Sequence, residues 1–431
     1  MVSKEEDYFD NEYYTMNRRF FRLIGLCQKT SSKNLIHICF INFMLAFGIF
    51  EQIHVLIVSE KKLILIAKLL ETTLPTLCFA SCYCNLLFND RVMKKILYRI
   101  KSDWDDLASK PELVILKKYA EISRLCTLTI AILFYLYILF LIFPSLLSVF
   151  RYVFGVINET ELILPLRTDY FMKNQMCYYI GLTVEYVIIL IAGTVGIANY
   201  SMFILVIQHA CALLTIVQWR AIEGFVKNQQ NFYYSNNNCE LIEERAKIIH
   251  IIKFYNKAIE FIDLLKSFYE AIQLLEEFFG IIFILLFQII SLSLNMTDGI
   301  TRFSYVLASF SQIYAYVYLA QKLINNNVNV FTVLICQIPF YSLSLKTQNL
   351  LLFLIMRSMR PCNLSVRGAI VVSNDLFATF INIDRNYLLY MDTIRRCSMP
   401  RPSYSRDEED DEVKRVMYYQ RRDAGVLVVF G

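Results

Sequence analysis

A chain of 431 residues that is 56% hydrophobic and 15% aromatic, with a mean hydropathy of +0.44, carries more apolar surface than a water-soluble fold can bury. Its 43 basic and 38 acidic residues leave a net charge of only +5, and the basic ones are dispersed, which argues against nucleic-acid binding. Four scattered histidines without metal-ligand spacing, no nucleophile motif and no phosphate-cradling glycine loop argue against an enzyme, a metal site or a cofactor.

In chain order, residues 1–34 form a charged segment (Lys4, Glu5, Glu6, Asp7, Arg18, Arg19, Arg22) that does not read as a cleaved signal peptide. Seven apolar stretches follow, at 35–59, 63–88, 125–150, 178–209, 271–295, 303–324 and 369–391. Each approaches the roughly 20 helical residues needed to cross about 30 Å of hydrocarbon. Runs such as 130–143 are apolar on every face, without the period-two alternation of barrel strands, so the segments are helices. The expected fold is an all-α polytopic membrane protein with seven transmembrane helices in a bilayer.

Lys and Arg mark the cytoplasmic loops. Six precede the first span, nine separate spans 2 and 3 and seven separate spans 4 and 5, against two, three and one in the alternate loops. The N-terminus is therefore expected in the cytoplasm and, with seven spans, the C-terminus outside. The glycosylation acceptors Asn158 and Asn295 fall in outer loops of this arrangement. The apolar stretch 328–345 contains Gln337 and Pro339 and is a poor span.

Between spans 4 and 5, Ile248, Ile252, Tyr255, Ile259 and Ile262 recur at helical spacing among Glu and Lys. Both spans are expected to continue as helices into the cytoplasm. Residues 35–395 are read as one domain with a cytoplasmic helical region at about 210–270 and 325–368. Residues 396–431, with an acidic run at 407–412, read as a disordered tail. Most of the twelve cysteines sit in or beside apolar spans and read as small hydrophobes.

The segment 338–361, IPFYSLSLKTQNLLLFLIMRSMRP, resembles the approach to the last helix of insect odorant receptors, and 373–379, SNDLFAT, resembles the start of that helix. The resemblance implies an odorant receptor that, with the Orco co-receptor, forms a heterotetrameric, odorant-gated, non-selective cation channel. It implies a plasma-membrane location in the dendrites of olfactory neurons and a pocket for small volatile odorants in the outer half of the bundle. The family's gate positions fall on Tyr390 and Ile394, four apart on one helical face, with Thr393 beside them as a pore-lining residue. Asp384 and Arg385 depart from the family's apolar pattern there.

The direction in which each helix travels selects the ligand-binding candidates. Phe140 and Phe143 lie near the top of span 3; Tyr178, Leu182, Glu185 and Tyr186 near the top of span 4; Tyr305, Ser309 and Phe310 near the top of span 6. Packing within the bundle is the alternative role for each aromatic. Glu185, a carboxylate inside a span, reads either as a polar anchor of the pocket or as a partner of a neighbouring helix. Lys68 and Glu71, three apart, read as mutually neutralising. A gustatory receptor of the same superfamily is the closest rival. A G-protein-coupled receptor is further off, because it needs the opposite orientation and an acidic-Arg-Tyr motif ending its third helix.

Overall fold

The computed structural model describes residues 11–26, 32–58, 63–158, 162–165, 175–226, 238–291, 296–360, 362, 365–366 and 370–371. Side chains over most of 270–313 are not among them. The chain divides into two compact units, Met1–Phe380 and Ile381–Gly431, and no described residue belongs to the second. Of the span predicted at 369–391 only 370–371 are described, and they form a short strand instead of helix; the positions Tyr390, Thr393, Ile394, Asp384 and Arg385, the tail and Asn295 lie outside the described residues.

The first unit is almost wholly helical. A short 3-10 turn, Glu12–Tyr14, leads into α1 (Thr15–Leu23). This helix ends where Gly25 adopts φ +79°. Leu26 N donates to Phe21 O at 2.9 Å and Gly25 N to Arg22 O at 3.1 Å, a paired C-cap that only a left-handed residue allows. Then come α2 (Ser32–Val58), α3 (Leu63–Phe88), α4 (Asp90–Leu107) and α5 (Leu113–Val153). α6 (Gln175–Ala221) continues into a π-helical turn, Ile222–Val226. α7 (Asn238–Ser291), α8 (Met296–Cys336) and α9 (Leu345–Ser358) follow, and a two-residue antiparallel ladder pairs Ser365–Val366 with Ile370–Val371.

Four of the predicted spans are pieces of much longer helices. At 1.5 Å per residue the 47 residues of α6 extend about 70 Å and the 54 of α7 about 80 Å, more than twice a hydrocarbon core. The stretch 328–345 is not one element, because α8 ends at Cys336 and Pro339 precedes a separate 3-10 turn. Three described helical stretches, Asn34–Val58, Leu113–Val153 and Met176–Phe225, are long and apolar enough to cross a membrane.

α6 is the axis of the bundle, packing on α1, α2, α3, α5, α7 and α8. We call the end where α5 and α6 are joined distal, and the end carrying α1, α4 and α9 basal. In the distal half the helices approach over glycines. A Cβ on Gly193 would collide with Cδ1 of Ile138, and one on Gly196 would lie 2.7 Å from Phe79 and 2.9 Å from Phe134. Small residues that let backbones close together are what helix association in lipid requires. α5 exposes Leu128, Ile132, Leu136, Leu139, Phe143 and Phe150, an apolar surface suited to acyl chains. Among the described cysteines, Cys78, Cys82, Cys211 and Cys362 are buried, while Cys39, Cys84 and Cys336 are exposed instead of buried as expected; all are free thiols.

Candidate functional site

Two groups of buried polar side chains stand out, one at each end. At the distal end, Ser145 and Ser148 on α5 face Tyr178 and Tyr186 on α6. Ser145 Oγ donates to Ile142 O at 2.7 Å, so the 2.8 Å contact between Tyr186 Oη and Ser145 Oγ has Tyr186 as donor. Segment 162–165 folds over this group. Ile163 N donates to Ser148 Oγ at 3.3 Å and Ile163 O accepts from Tyr178 Oη at 3.2 Å, while Leu162 and Leu164 bury against Tyr178 and Leu182. Both backbone groups of Ile163 are thereby paired, which lets its neighbours Leu162 and Leu164 pack inward at little cost while the Ile163 side chain stays exposed.

Deeper in the same half, Glu185 faces the bundle rather than its surroundings, and Glu51 and Gln52 of α2 are buried with it. Gln52 Nε2 donates to Thr76 Oγ1 on α3 at 3.4 Å. Carboxylates within a span are costly and mark cavities or pathways. The sequence reading passed over Glu51, although the rule that singles out Glu185 applies equally to it.

At the basal end Asp103 on α4 is fully buried between His209 and Lys257. His209 Nε2 lies 3.0 Å from Oδ2, and Lys257 Nζ lies 2.6 Å from Oδ1 and 2.8 Å from Asp106 Oδ2. Burial pushes the Asp103 carboxyl up, but the hydrogen bonds and charges of His209 and Lys257 outweigh it and hold the group below the usual range. Lys257 is correspondingly held above its ordinary value, burial opposing and the two aspartates prevailing.

Nearby, Arg220 Nε donates to Glu112 Oε1 at 2.9 Å, and its guanidinium lies 4.0 Å above the Phe254 ring. Glu244 Oε1 accepts from Ser344 N and Oγ, both at 3.0 Å, fixing the start of α9. Asn327 accepts from Tyr255 Oη at 3.2 Å and donates to Ser358 O and Arg360 O. An open cleft of about 240 Å³ lies here, lined by Trp219, Arg220, Glu223, Lys247 and His250. Burial and the charge of Arg220 hold His250 below its usual value. Among the described residues no group of three or more His, Cys, Asp or Glu could hold a metal.

The structure brings Tyr178, Leu182, Glu185 and Tyr186 together. Phe140 and Phe143 stand apart from them, 53% and 55% exposed on α5. Direction of travel along the bundle gives a residue's height but not the face it occupies. Tyr305, Ser309 and Phe310 lie on α8, and their side chains, like those of Lys68 and Glu71, fall outside the described residues. Asn158 is exposed just beyond α5.

A family model described as 7tm Odorant receptor matches residues 66–383. The structure is similar to that of the insect olfactory receptor OR5 from Machilis hrabei, with a TM-score of 0.71, 13% identity, and 90% of this chain and 99% of that one covered. The same receptor in complex with eugenol aligns with a TM-score of 0.67 and 14% identity over 89% of this chain and 100% of that one. No curated protein matches the chain by sequence.

Proposed function

The chain belongs to the odorant receptor family, and from that premise we propose that it binds small volatile odorants in the distal half of the bundle and, with a co-receptor subunit, forms an odorant-gated, non-selective cation channel. The observation that carries the reading is the buried polar group of Glu51, Gln52 and Glu185, with the half-buried Tyr186 beside it, inside an otherwise apolar distal half. Volatile ligands gain most from apolar burial, about 25 cal/mol per Å², with one or two polar groups setting orientation. Leu182 and Tyr186 supply apolar and aromatic surface beside those groups, and eugenol is a ligand of this kind in the structural relative.

The basal end is the cytoplasmic side in this reading, following the Lys and Arg bias, and the exposed Asn158 is an outer glycosylation site. α9 supports assembly with a partner subunit. Thr347, Leu351, Leu354 and Ser358 bury one face, while Leu345, Leu352, Phe353, Met356 and Met359 leave an apolar face uncovered. The gate is assigned to Tyr390 and Ile394 with Thr393 beside them. The plasma membrane of olfactory dendrites is the expected location.

Whole-cell recording with and without the co-receptor, under an odorant panel and with G-protein signalling blocked, tests the reading. A fast inward cation current that needs the co-receptor and survives the block is expected. A slow response that the block abolishes would overturn it.

A further inference from the structure

Glu51, Gln52 and Glu185 are 2%, 2% and 1% exposed. α2 rises from the basal to the distal end and α6 descends, and their register is fixed where a Cβ on Gly48 would stand 2.8 Å from Cγ2 of Ile188. Glu51 lies three residues beyond Gly48, and Glu185 lies three residues before Ile188. One turn above the closest approach of two antiparallel helices, the carboxylates share a level and a seam.

Among the described residues the donors of α2 and α3 at this level are already engaged. Thr76 Oγ1 donates to Thr72 O at 3.0 Å and Thr73 Oγ1 to Leu69 O at 2.8 Å, so both hydroxyl protons serve the backbone of α3. Gln52 Nε2 already serves Thr76. Gln52 Oε1 is buried with no hydrogen-bond partner among the described residues. A buried acceptor in that position is costly until a donor arrives.

We propose that Glu51, with Glu185 and Gln52, makes this receptor selective for ligands carrying a protonated amine, the ammonium entering between α2, α3 and α6. The inference rests on the reading of the distal half as the odorant pocket and names the ligand class of that site. An ammonium brings three donors and a positive charge to a seam rich in acceptors and like charge. An alcohol of the same shape brings one donor and no charge. An ammonium also loses much hydration on entry, which only a facing carboxylate offsets, so the preference depends on Glu51 being ionised in the complex.

The test uses the full chain, purified in nanodiscs, and follows thermal unfolding with two matched pairs: hexylamine against 1-hexanol, and phenethylamine against phenethyl alcohol. The amine of each pair should half-saturate at a concentration lower by about tenfold or more, the scale of a charge-assisted hydrogen bond. Glu51→Gln should erase that preference, so that the amine and the alcohol of each pair half-saturate alike. Glu51→Asp, which retracts the carboxylate by one methylene but keeps its charge, should retain part of it and guards against a folding defect in the amide variant. Alcohols binding as well as or better than amines, or an amine preference undiminished by Glu51→Gln, would overturn the assignment while leaving the pocket standing. Failure of all four ligands to bind would overturn both. In cells with the co-receptor, Glu51→Gln should raise the half-maximal amine concentration relative to that of the matched alcohol.

Discussion

Met176, Ile180 and Leu190 of α6 are open to the surroundings, whereas from 195 to 217 nearly every residue of the same helix is buried. The distal half turns apolar side chains outward and brings its helices together over Gly48, Gly193 and Gly196. The basal half buries charge, and the buried charged side chains described there reach partners on other elements: Asp103 to His209 and Lys257, Arg220 to Glu112, Glu244 to Ser344. Where lipid is the solvent, burying an apolar side chain gains little and close backbone packing must hold the helices. Where water is the solvent, a buried core forms readily, but every polar group enclosed in it needs a partner. On the proposed topology one helix obeys two solvents in succession, and its length is the reason.

The sharpest way to break this contrast is to remove one partner from the basal pair. Arg220→Ala strands Glu112, and Glu112→Ala strands Arg220; both side chains are more than nine-tenths buried. Leaving a buried charge without its partner costs about 3–5 kcal/mol. Either variant should lower the unfolding temperature of the purified protein and its surface expression, and the double replacement by apolar residues should recover much of the loss. A single variant as stable as the parent would mean that the pair is not a structural tie.

Asp103→Asn should cost about 2 kcal/mol through lost charge-assisted hydrogen bonds, and it sharpens the contrast through pH. Asp103 is depressed in the fold, so its contribution is present above the ordinary carboxylate value of about 3.9 and is lost as pH falls through the lower folded value. Lys257 is raised, so its contribution is present below about 10.4 and is lost as pH rises through the higher folded value. The stability gap between parent and variant should therefore stay flat between these limits and close at the acid end. A gap that changed near neutrality would overturn the assignment of the effect to Asp103 and Lys257.

In the distal half the corresponding insult is steric. Gly196→Leu drives a side chain into Phe79 and Phe134, already 2.7 and 2.9 Å from the Cβ position, and should cost about 1–3 kcal/mol. Gly224, in the basal π-helical turn, has nothing within 4 Å of its Cβ position, and Gly224→Ala should leave stability unchanged to within about 0.5 kcal/mol. Equal effects at the two glycines would erase the distinction between a packed and an open backbone.

Much of this was legible in the sequence, for definite reasons. The α3 boundaries coincide with the predicted 63–88 because Asn89 breaks the helix between an apolar run and a charged one. The continuation of α6 and α7 beyond membrane length was signalled by Ile248, Tyr255, Ile259 and Ile262, all but fully buried. The basal network was not legible. Asp103 and His209 stand 106 positions apart, as Glu112 and Arg220 stand 108, and no local spacing announces a contact across helices. At the distal site the height of Tyr178, Leu182, Glu185 and Tyr186 was readable from topology. Their inward face was not, because a helix apolar on all sides carries no period that says which side is inside.

The exposed aromatics of α5 provide the finest test, and the smallest expected effect. Phe140 and Phe143 share the height of the distal polar group but not its burial. A side chain that exchanges one apolar environment for another on folding contributes little, so Phe140→Ala and Phe143→Ala should each change stability by less than about 0.5 kcal/mol. Leu182 is 7% exposed and packs with Leu162, Leu164 and Tyr178, so Leu182→Ala should cost about 2–5 kcal/mol. Odorant dose–response curves separate the positions again. Height alone would make all three equivalent, whereas burial confines the response to Leu182 and leaves the two phenylalanines silent. Should either phenylalanine variant shift the half-maximal odorant concentration as far as Leu182→Ala does, a partner subunit or the ligand itself must cover that face of α5, and the lipid-facing assignment of the helix would fall with it.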